Sequence, residues 1–158
     1  MNGRLGDFAW QVLAPHRGAP EAKDSNDGSI AMLWESEETA LFTLADLGEQ
    51  GQLRIGLESS AMLASGFTDK TVVVKVAHHG SRYQDLNFMK ALSPRISIIS
   101  VGKDNTYGHP APQTIAALSR IGSTVYRTDQ DGALAINARR HRVKVRKSHQ
   151  AFKFWQFD

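Results

Sequence analysis

The chain has 158 residues and a mass of 17.4 kDa, the size of one ordinary domain. Its 41% apolar and 22% charged residues allow a real core and exclude a disordered or collagen-like chain. It has no cysteine, so any metal ion must be held by His, Asp or Glu. The net charge of +3 hides an asymmetry, because residues 139–158 hold 7 of the 19 Lys and Arg and only one acid, Asp158.

The sequence pattern predicts three strands in the first part of the chain. Residues 9–14 form the first strand, and Pro15 ends it. Residues 15–28 form a polar loop that closes on the turn sequence N-D-G. Ser29–Trp34 and Ala40–Ala45 then form a hairpin around an acidic connection.

Helices and strands alternate in the middle of the chain. Helical spacing predicts a helix with one apolar face, which is formed by Leu53, Leu57, Ala61 and Ala64. Gly66 is suited to the C-cap of this helix. Residues 71–77 form the clearest strand, which is β-branched and buried on both faces. Asp85 is suited to cap a helix that runs through Leu92.

The last part of the chain adds one helix and four strands. Pro112 begins the helix and Gly122 ends it. The strands are Arg95–Val101, Thr124–Arg127, Ala133–Asn137 and Arg142–Arg146, of which the last two form a hairpin. This order predicts a single α/β (α+β) domain with a core over residues 9–137 and a basic, aromatic extension over 139–158. We expect a mixed sheet with helices on at least one face.

Two adjacent imidazoles follow the predicted strand over residues 71–77, in the sequence V-A-H-H-G-S. The carboxyl end of a central strand in an α/β sheet is where ligands gather. Adjacent residues on an extended backbone point to opposite sides, so one of His78 and His79 is expected to face a site while the other packs behind it. The alternative is a pair of hydrogen-bonded structural histidines.

Asp46 ends the apolar run over residues 41–45. A carboxylate at the end of a buried strand needs a cation, a helix N-terminus or hydrogen bonds. Taken alone, Asp46 is best interpreted as the N-cap of the following helix. Together with His78 it forms a candidate pair of metal ligands.

Residues 102–110 form a loop, G-K-D-N-T-Y-G-H-P, between a strand and a helix. We expect it at the same end of the sheet as His78. Its glycines and its Lys, Asn, Tyr and His side chains suit a phosphate or another oxyanion. A capped connection with scattered polar residues is the alternative.

The segment 139–147 alternates basic and apolar residues, with Arg142, Lys144 and Arg146 on one face of a predicted strand. Such a face could follow a nucleic-acid backbone. A solvated edge strand protected by positive charge is the more common explanation. The aromatic residues that follow are expected to dock on the body of the protein, and they are Phe152, Phe154, Trp155 and Phe157.

Several of these segments occur in an order and at intervals that resemble a known family. They are N-D-G-S-I at 26–30, L-F-T-L-A-D-L-G at 41–48, V-K-V-A-H-H-G-S at 74–81, S-V-G-K-D-N-T-Y-G-H-P-A-P at 100–112 and Y-R-T-D-Q-D-G-A at 126–133. Over residues 9–137 the chain resembles the C-terminal metallo-β-lactamase-fold domain of ComEC-type DNA-internalisation competence proteins. The combination of H-H-G-S with Y-G-H-P carries the resemblance.

The resemblance implies an αββα sandwich with a hydrolytic site of one or two metal ions, zinc or manganese. It assigns Asp46 and His78 as metal ligands, although His79 could take the place of His78. It further implies catalytic roles for His79 and His109. Contacts to substrate or phosphate are assigned to Ser81, Lys103, Asn105 and Tyr107.

The family's N-terminal H-x-H-x-D-H motif is absent, and His16 is the only histidine before His78. We therefore expect only the second half of the sandwich, with the first half missing or on another chain. The implied function is hydrolysis of DNA phosphodiesters during DNA uptake, with DNA as partner and with this isolated chain inactive. The alternatives are a non-catalytic remnant that binds DNA, or a hydrolase of small phosphoesters or lactones.

The sequence has no run of about 20 apolar residues and no signal-peptide pattern, so we expect a soluble bacterial domain. The resemblance implies a parent protein in the plasma membrane with this domain outside, and a cytoplasmic location for the chain alone. A half sandwich should leave an apolar face bare, for instance around Val72–Val76 or Ile96–Val101. We therefore expect a homodimer or another covering chain.

Overall fold

A computed structural model describes residues 1–15, 25–139 and 142–148. His16 and the aromatic residues of the C-terminal extension lie outside the described residues, as do Arg140 and His141. The strands are β1 (Asn2–Leu5), β2 (Phe8–Ala14), β3 (Ala31–Glu35), β4 (Thr39–Thr43), β5 (Thr71–Lys75), β6 (Ile96–Ile99), β7 (Thr124–Arg127), β8 (Leu134–Arg139) and β9 (Arg142–Lys147). The helices are α1 (Glu49–Glu58), α2 (Ser60–Ser65), α3 (Leu86–Leu92), α4 (Pro112–Arg120) and α5 (Thr128–Asp131).

Seven strands form one mixed sheet in the order β1-β2-β3-β4-β5-β6-β7. Neighbouring strands are antiparallel from β1 to β4 and parallel from β4 to β7. The remaining strands, β8 and β9, form a separate antiparallel hairpin. The structure therefore confirms the predicted α/β class, the mixed sheet and the terminal hairpin.

The main hydrophobic core lies between one face of the sheet and the helices α1, α3 and α4. Strand β4 shows how the two faces differ, because Ala40 and Phe42 are fully buried while Leu41 between them is half-buried. The helices contribute buried residues to the same cluster, including Ile55, Phe88, Met89, Leu92 and Leu118. The prediction of helices flanking the sheet is confirmed.

The predicted helix over residues 53–64 is two helices, α1 and α2, that meet at Ser59. Its predicted apolar face is wrong, because Leu53 is 40% exposed and Leu57 is 67% exposed. The buried positions of α1 are Gln52 and Ile55. Hydrophobic spacing missed this face because one of its two buried residues is polar.

The predicted bare apolar surface is not observed, and two elements of the structure were not predicted. The valines of β5 and the first and last residues of β6 are all buried, so the segments Val72–Val76 and Ile96–Val101 are not a bare apolar surface. The helices cover Val72, Val74 and Val76, which belong to the main core. Strand β1 and the short helix α5 were not predicted, since both are short and polar.

Other predicted boundaries hold closely. Asp85 caps α3, because its side chain accepts hydrogen bonds from the backbone N–H groups of Asn87 and Phe88. Pro112 is at the start of α4.

In the described part of the chain, no helix has both the length and the apolar character needed to cross a membrane.

Candidate functional site at the carboxyl edge of the sheet

The parallel strands β4, β5 and β6 end at one edge of the sheet, and the predicted site residues follow them. Asp46 comes after β4, His78 and His79 come after β5, and the loop over residues 102–109 comes after β6. This edge is where α/β sheets bind ligands. The topology therefore brings together residues that are distant in the sequence.

The two histidines lie in a 3₁₀ turn, Ala77–Gly80, with unusual backbone geometry. His78 has φ 44° and His79 has φ 51°, both in the left-handed region that side chains other than glycine rarely adopt. The turn is tied to the chain after β4, because the His78 N–H donates to the Ala45 carbonyl at 3.0 Å. Such backbone strain persists where surrounding contacts hold it, and it is frequent at functional sites.

His79 is the imidazole that faces Asp46. Its Nε2 lies 3.5 Å from Asp46 Oδ1, and both side chains are less than half exposed. Its Nδ1 lies 2.6 Å from the Ser100 carbonyl oxygen, which can only accept, so Nδ1 carries the hydrogen and donates it. In the neutral ring, Nε2 then holds the free lone pair, as in many metal-binding histidines.

Lys75 adds a positive charge beside Asp46. Its Nζ donates to the Ala45 carbonyl at 2.9 Å and lies 4.0 Å from Asp46 Oδ1. Burial lowers the pKa of Lys75, and the nearby Asp46 carboxylate opposes part of that effect. Lys75 was not predicted as a site residue, although a lysine within the run T-V-V-V-K-V-A of a buried strand was an available signal.

Gly80 joins the histidine turn to the loop that carries His109. A Cβ atom at Gly80 would lie 2.8 Å from Pro110 Cβ, and Gly80 has φ +77°. The Ala111 N–H donates to the Gly80 carbonyl at 2.8 Å. Only glycine allows this close approach between the H-H-G-S and Y-G-H-P segments.

His109 consequently lies beside His78, with ring centroids 5.4 Å apart and planes at 72°. Burial lowers the pKa of His109, and the positive charges of His78, His79 and Arg82 lower it further. His109 is therefore largely neutral at pH 7, with one ring nitrogen that donates and one that accepts.

The loop over residues 102–109 is held in place from within and at its base. Asn105 Oδ1 accepts hydrogen bonds from the backbone N–H groups of Tyr107 at 3.0 Å and His109 at 3.2 Å. At the base, the Thr128 hydroxyl donates to the Val101 carbonyl and accepts from the Val101 N–H. Part of the Y-R-T-D-Q-D-G-A segment thus positions this loop, a role the sequence alone did not indicate.

The predicted substrate-binding residues have different surroundings. Lys103 and Tyr107 are exposed and Asn105 is half-buried. Ser81 is only 2% exposed, and its carbonyl accepts a hydrogen bond from the Thr114 hydroxyl at 2.7 Å. The contacts of Ser81 and Asn105 support the turn and the loop, and substrate binding by either residue stays a prediction.

The described residues contain no group of three or more His, Cys, Asp or Glu side chains placed to hold one metal ion. The structure does bring Asp46 and His79 together, with His78 and His109 as a second pair of rings nearby. The predicted convergence of Asp46, one of His78 or His79, and His109 at one end of the sheet is therefore observed. Their roles as metal ligands or catalytic groups stay predictions.

Strand β9 has the predicted alternation of basic and apolar residues. Arg142, Lys144 and Arg146 are exposed, whereas Val143 and Val145 are half-buried. Because i and i+2 residues of a strand share a face, the three cations form one stripe with neighbours about 7 Å apart. Binding of nucleic acid by this stripe stays a prediction.

The fold and the site together define an α/β protein with a His and Asp cluster at the carboxyl edge of a mixed sheet. The chain is 31% identical over 133 residues to ComE operon protein 3 of Bacillus subtilis (strain 168), across 83% of this chain and 16% of that protein. It is 24% identical over 155 residues to Recombination protein 2 of Haemophilus influenzae, across 94% of this chain and 18% of that protein. No family model matches the chain.

These two relatives support a relationship to the ComEC family of competence proteins. The chain spans less than a fifth of the length of either relative. The similarity therefore concerns one segment of each relative.

Proposed function

We propose that the chain carries part of a metal-dependent hydrolase site of the metallo-β-lactamase type, which acts on DNA phosphodiesters during DNA uptake. The observation that carries the proposal is the approach of His79 Nε2 to Asp46 Oδ1 at 3.5 Å, with the imidazole oriented by the Ser100 carbonyl. The relationship to competence proteins supports DNA as the substrate class.

Asp46 and His79 are the residues that would hold a zinc or manganese ion. A carboxylate oxygen and an imidazole nitrogen suit either metal, and the hydrogen bond from His79 Nδ1 to a carbonyl is the usual orientation of a metal-binding ring. When bound, such an ion lowers the pKa of a coordinated water and offsets negative charge on phosphate oxygens. Lys75 Nζ lies 4.0 Å from Asp46 Oδ1 and places a positive charge beside that carboxylate.

The residues beside this pair suit contact with a phosphate diester. His109, with its lowered pKa, offers a neutral donor and acceptor that can move a proton at a phosphate oxygen. The exposed Lys103 adds a positive charge on the same loop. Two protein ligands are fewer than the three that catalytic zinc sites typically have, so we expect weak metal binding and little activity from this chain alone.

Metal binding tests the ligand pair directly. Titration of the 158-residue chain with Mn²⁺, followed by the EPR signal of free Mn²⁺, should give weak binding that Asp46→Asn and His79→Gln each weaken by about tenfold or more. Asp104→Asn is the matched control, because it removes an exposed carboxylate from the neighbouring loop. Equal binding by Asp46→Asn and the parent chain would contradict the proposed ligand pair.

Activity is tested with a labelled DNA strand and added Mn²⁺ or Zn²⁺. We expect the chain to cleave it no faster than an Asp46→Ala, His78→Ala double variant or an Asp46→Ala, His79→Ala double variant. Metal-dependent cleavage that disappears in one of these variants would show that this chain is itself the nuclease. The expectation of inactivity would then be wrong and the site assignment strengthened.

The β9 stripe favours a second candidate function, binding of DNA without catalysis. Exposed cations at strand spacing attract phosphates, and such binding weakens steeply as salt rises. A triple Arg142→Gln, Lys144→Gln, Arg146→Gln variant separates the two functions. It should lower DNA affinity and the salt slope while leaving Mn²⁺ binding unchanged.

A further inference from the structure

Tyr107 has the most exposed aromatic ring in the described part of the chain, with 82% of its surface accessible. It lies on the loop over residues 102–109, two residues before His109. A single exposed apolar side chain needs no explanation by itself. The surroundings of this ring, however, indicate a role in ligand binding.

The Tyr107 ring stands on a loop with a defined conformation. The Asn105 carboxamide oxygen accepts hydrogen bonds from the backbone N–H groups of both Tyr107 and His109. The Tyr107 ring lies close to parallel with the His109 imidazole, at 20° and 6.4 Å between centroids. An exposed ring on a fixed loop loses little conformational freedom when a flat ligand covers it.

Positive charge flanks the same place. Lys103 is exposed on the loop, and Arg82 is close enough to His109 for its charge to lower the pKa of that imidazole. Arg82 also lies over the ring of Tyr83, which is 60% exposed, at 5.7 Å from the centroid. Exposed aromatic rings beside cations are the combination with which proteins bind single-stranded nucleic acid, by stacking on bases and pairing with phosphates.

We propose that Tyr107 stacks on an unpaired nucleobase and makes the site selective for single-stranded nucleic acid over duplex. Inside a duplex both faces of each base are covered by neighbouring bases, so the ring has no free π-face to contact. In an unpaired strand, a base on Tyr107 would hold an adjacent phosphate near His109 and the Asp46–His79 pair. This inference rests on the proposed function for its substrate class and assigns the strand form and the residue that selects it.

Binding measured without metal tests the proposal apart from catalysis. The full chain in EDTA is titrated against a fluorescein-labelled single strand of thymidines, the same strand with abasic sites, and a blunt duplex, with fluorescence anisotropy as readout. Tyr107→Ala should raise the Kd for the intact strand by about 5- to 150-fold, the range found when one base-stacking ring is removed. Tyr107→Phe keeps the ring and should stay within about twofold of the parent.

Two controls test whether the change in affinity comes from loss of the Tyr107 ring. Leu57→Ala removes an exposed apolar side chain near the end of α1, where the chain has turned away from the site edge, and should leave all three affinities unchanged. The abasic strand should bind the parent and Tyr107→Ala equally, because there is no base to stack. A folded Tyr107→Ala chain, confirmed by circular dichroism, makes the comparison valid.

The outcomes separate this inference from the proposed function. Equal affinity of the parent and Tyr107→Ala for the intact strand, equal affinity of the parent for intact and abasic strands, or no binding of single strands would each overturn the stacking role. Binding of the duplex by the parent as tightly as the intact single strand would overturn the proposed selectivity. If stacking is observed in EDTA but Mn²⁺ binding is the same in Asp46→Asn as in the parent, the metal site is overturned. The stacking role is then still supported.

Discussion

Two histidines of the candidate site are affected by their immediate neighbours in different ways. The Ser100 carbonyl fixes the tautomer of His79, whereas His109 is affected by burial and by the charges of His78, His79 and Arg82. Burial and like charges act in the same direction, because both disfavour the imidazolium. His109 is therefore available at neutral pH as an acceptor as well as a donor.

The first prediction concerns the titration of His109. In the absence of metal, the NMR titration of its ring Cε1 proton should give a pKa below the ordinary value of about 6.5. His78→Asn should raise that pKa only part of the way back, since burial is the larger cause. A pKa at or above the ordinary value in the parent would contradict the assigned environment.

The lowered pKa of His109 also makes the stability of the folded state depend on pH. Because the folded state binds a proton at His109 less readily than the unfolded state, the folded state loses stability as the pH falls below about 6.5 toward the folded pKa. Above about 6.5 both states are neutral at this residue and the shift has no effect. His109→Gln should therefore lose less stability than the parent between pH 7 and pH 5 in urea unfolding.

The sequence identified Asp46 and the histidine pair but not which imidazole faces the carboxylate. The edge could be predicted, because residues that follow parallel strands meet at one side of a sheet. The choice between His78 and His79 depends on the left-handed turn, where the alternation of an extended strand does not apply. Lys75 and Ser100 were missed because their roles depend on contacts between separate strands.

Secondary structure elements were predictable where local chemistry defines them. Alternation and β-branched residues gave the strands β2 to β7, and Asp85 and Pro112 gave the starts of α3 and α4. The orientation of α1 was not predictable, because Gln52 occupies a core position. Its side chain donates to the Leu47 carbonyl and accepts from the Asp85 N–H, so it links the start of α1 to the start of α3.

The close approach of Gly80 to Pro110 can be tested by substitution. Gly80→Ala places a Cβ against Pro110 in a left-handed backbone conformation, and should lower the free energy of unfolding by about 1–3 kcal/mol in urea titrations. Gly102→Ala is the matched control in the neighbouring loop, where a Cβ would meet no heavy atom within 4 Å. Equal stability of the two variants would mean that contact between the two motifs does not hold the site together.

At the scale of the whole molecule, the two faces of the sheet differ. One face carries the main core beneath α1, α3 and α4. Toward the antiparallel side, the other face carries half-buried apolar residues, including Trp10, Met32, Trp34 and Leu41. Trp10 and Trp34 contact each other across β2 and β3, with ring centroids 6.5 Å apart. These partly exposed apolar residues lie on β2 to β4, whereas the bare apolar surface was predicted around β5 and β6, where the apolar residues are mostly buried.

The last prediction follows from this second face. Partly exposed apolar residues on neighbouring strands favour association, because a covering surface removes them from water. We expect sedimentation velocity to show self-association that increases with protein concentration and that Trp34→Lys weakens by roughly tenfold or more. Leu57→Lys adds the same charge to the exposed side of α1 and should have no effect if the sheet face is the contact. A parent chain that stays monomeric at every concentration, or two lysine variants that behave alike, would exclude this face as the site of self-association.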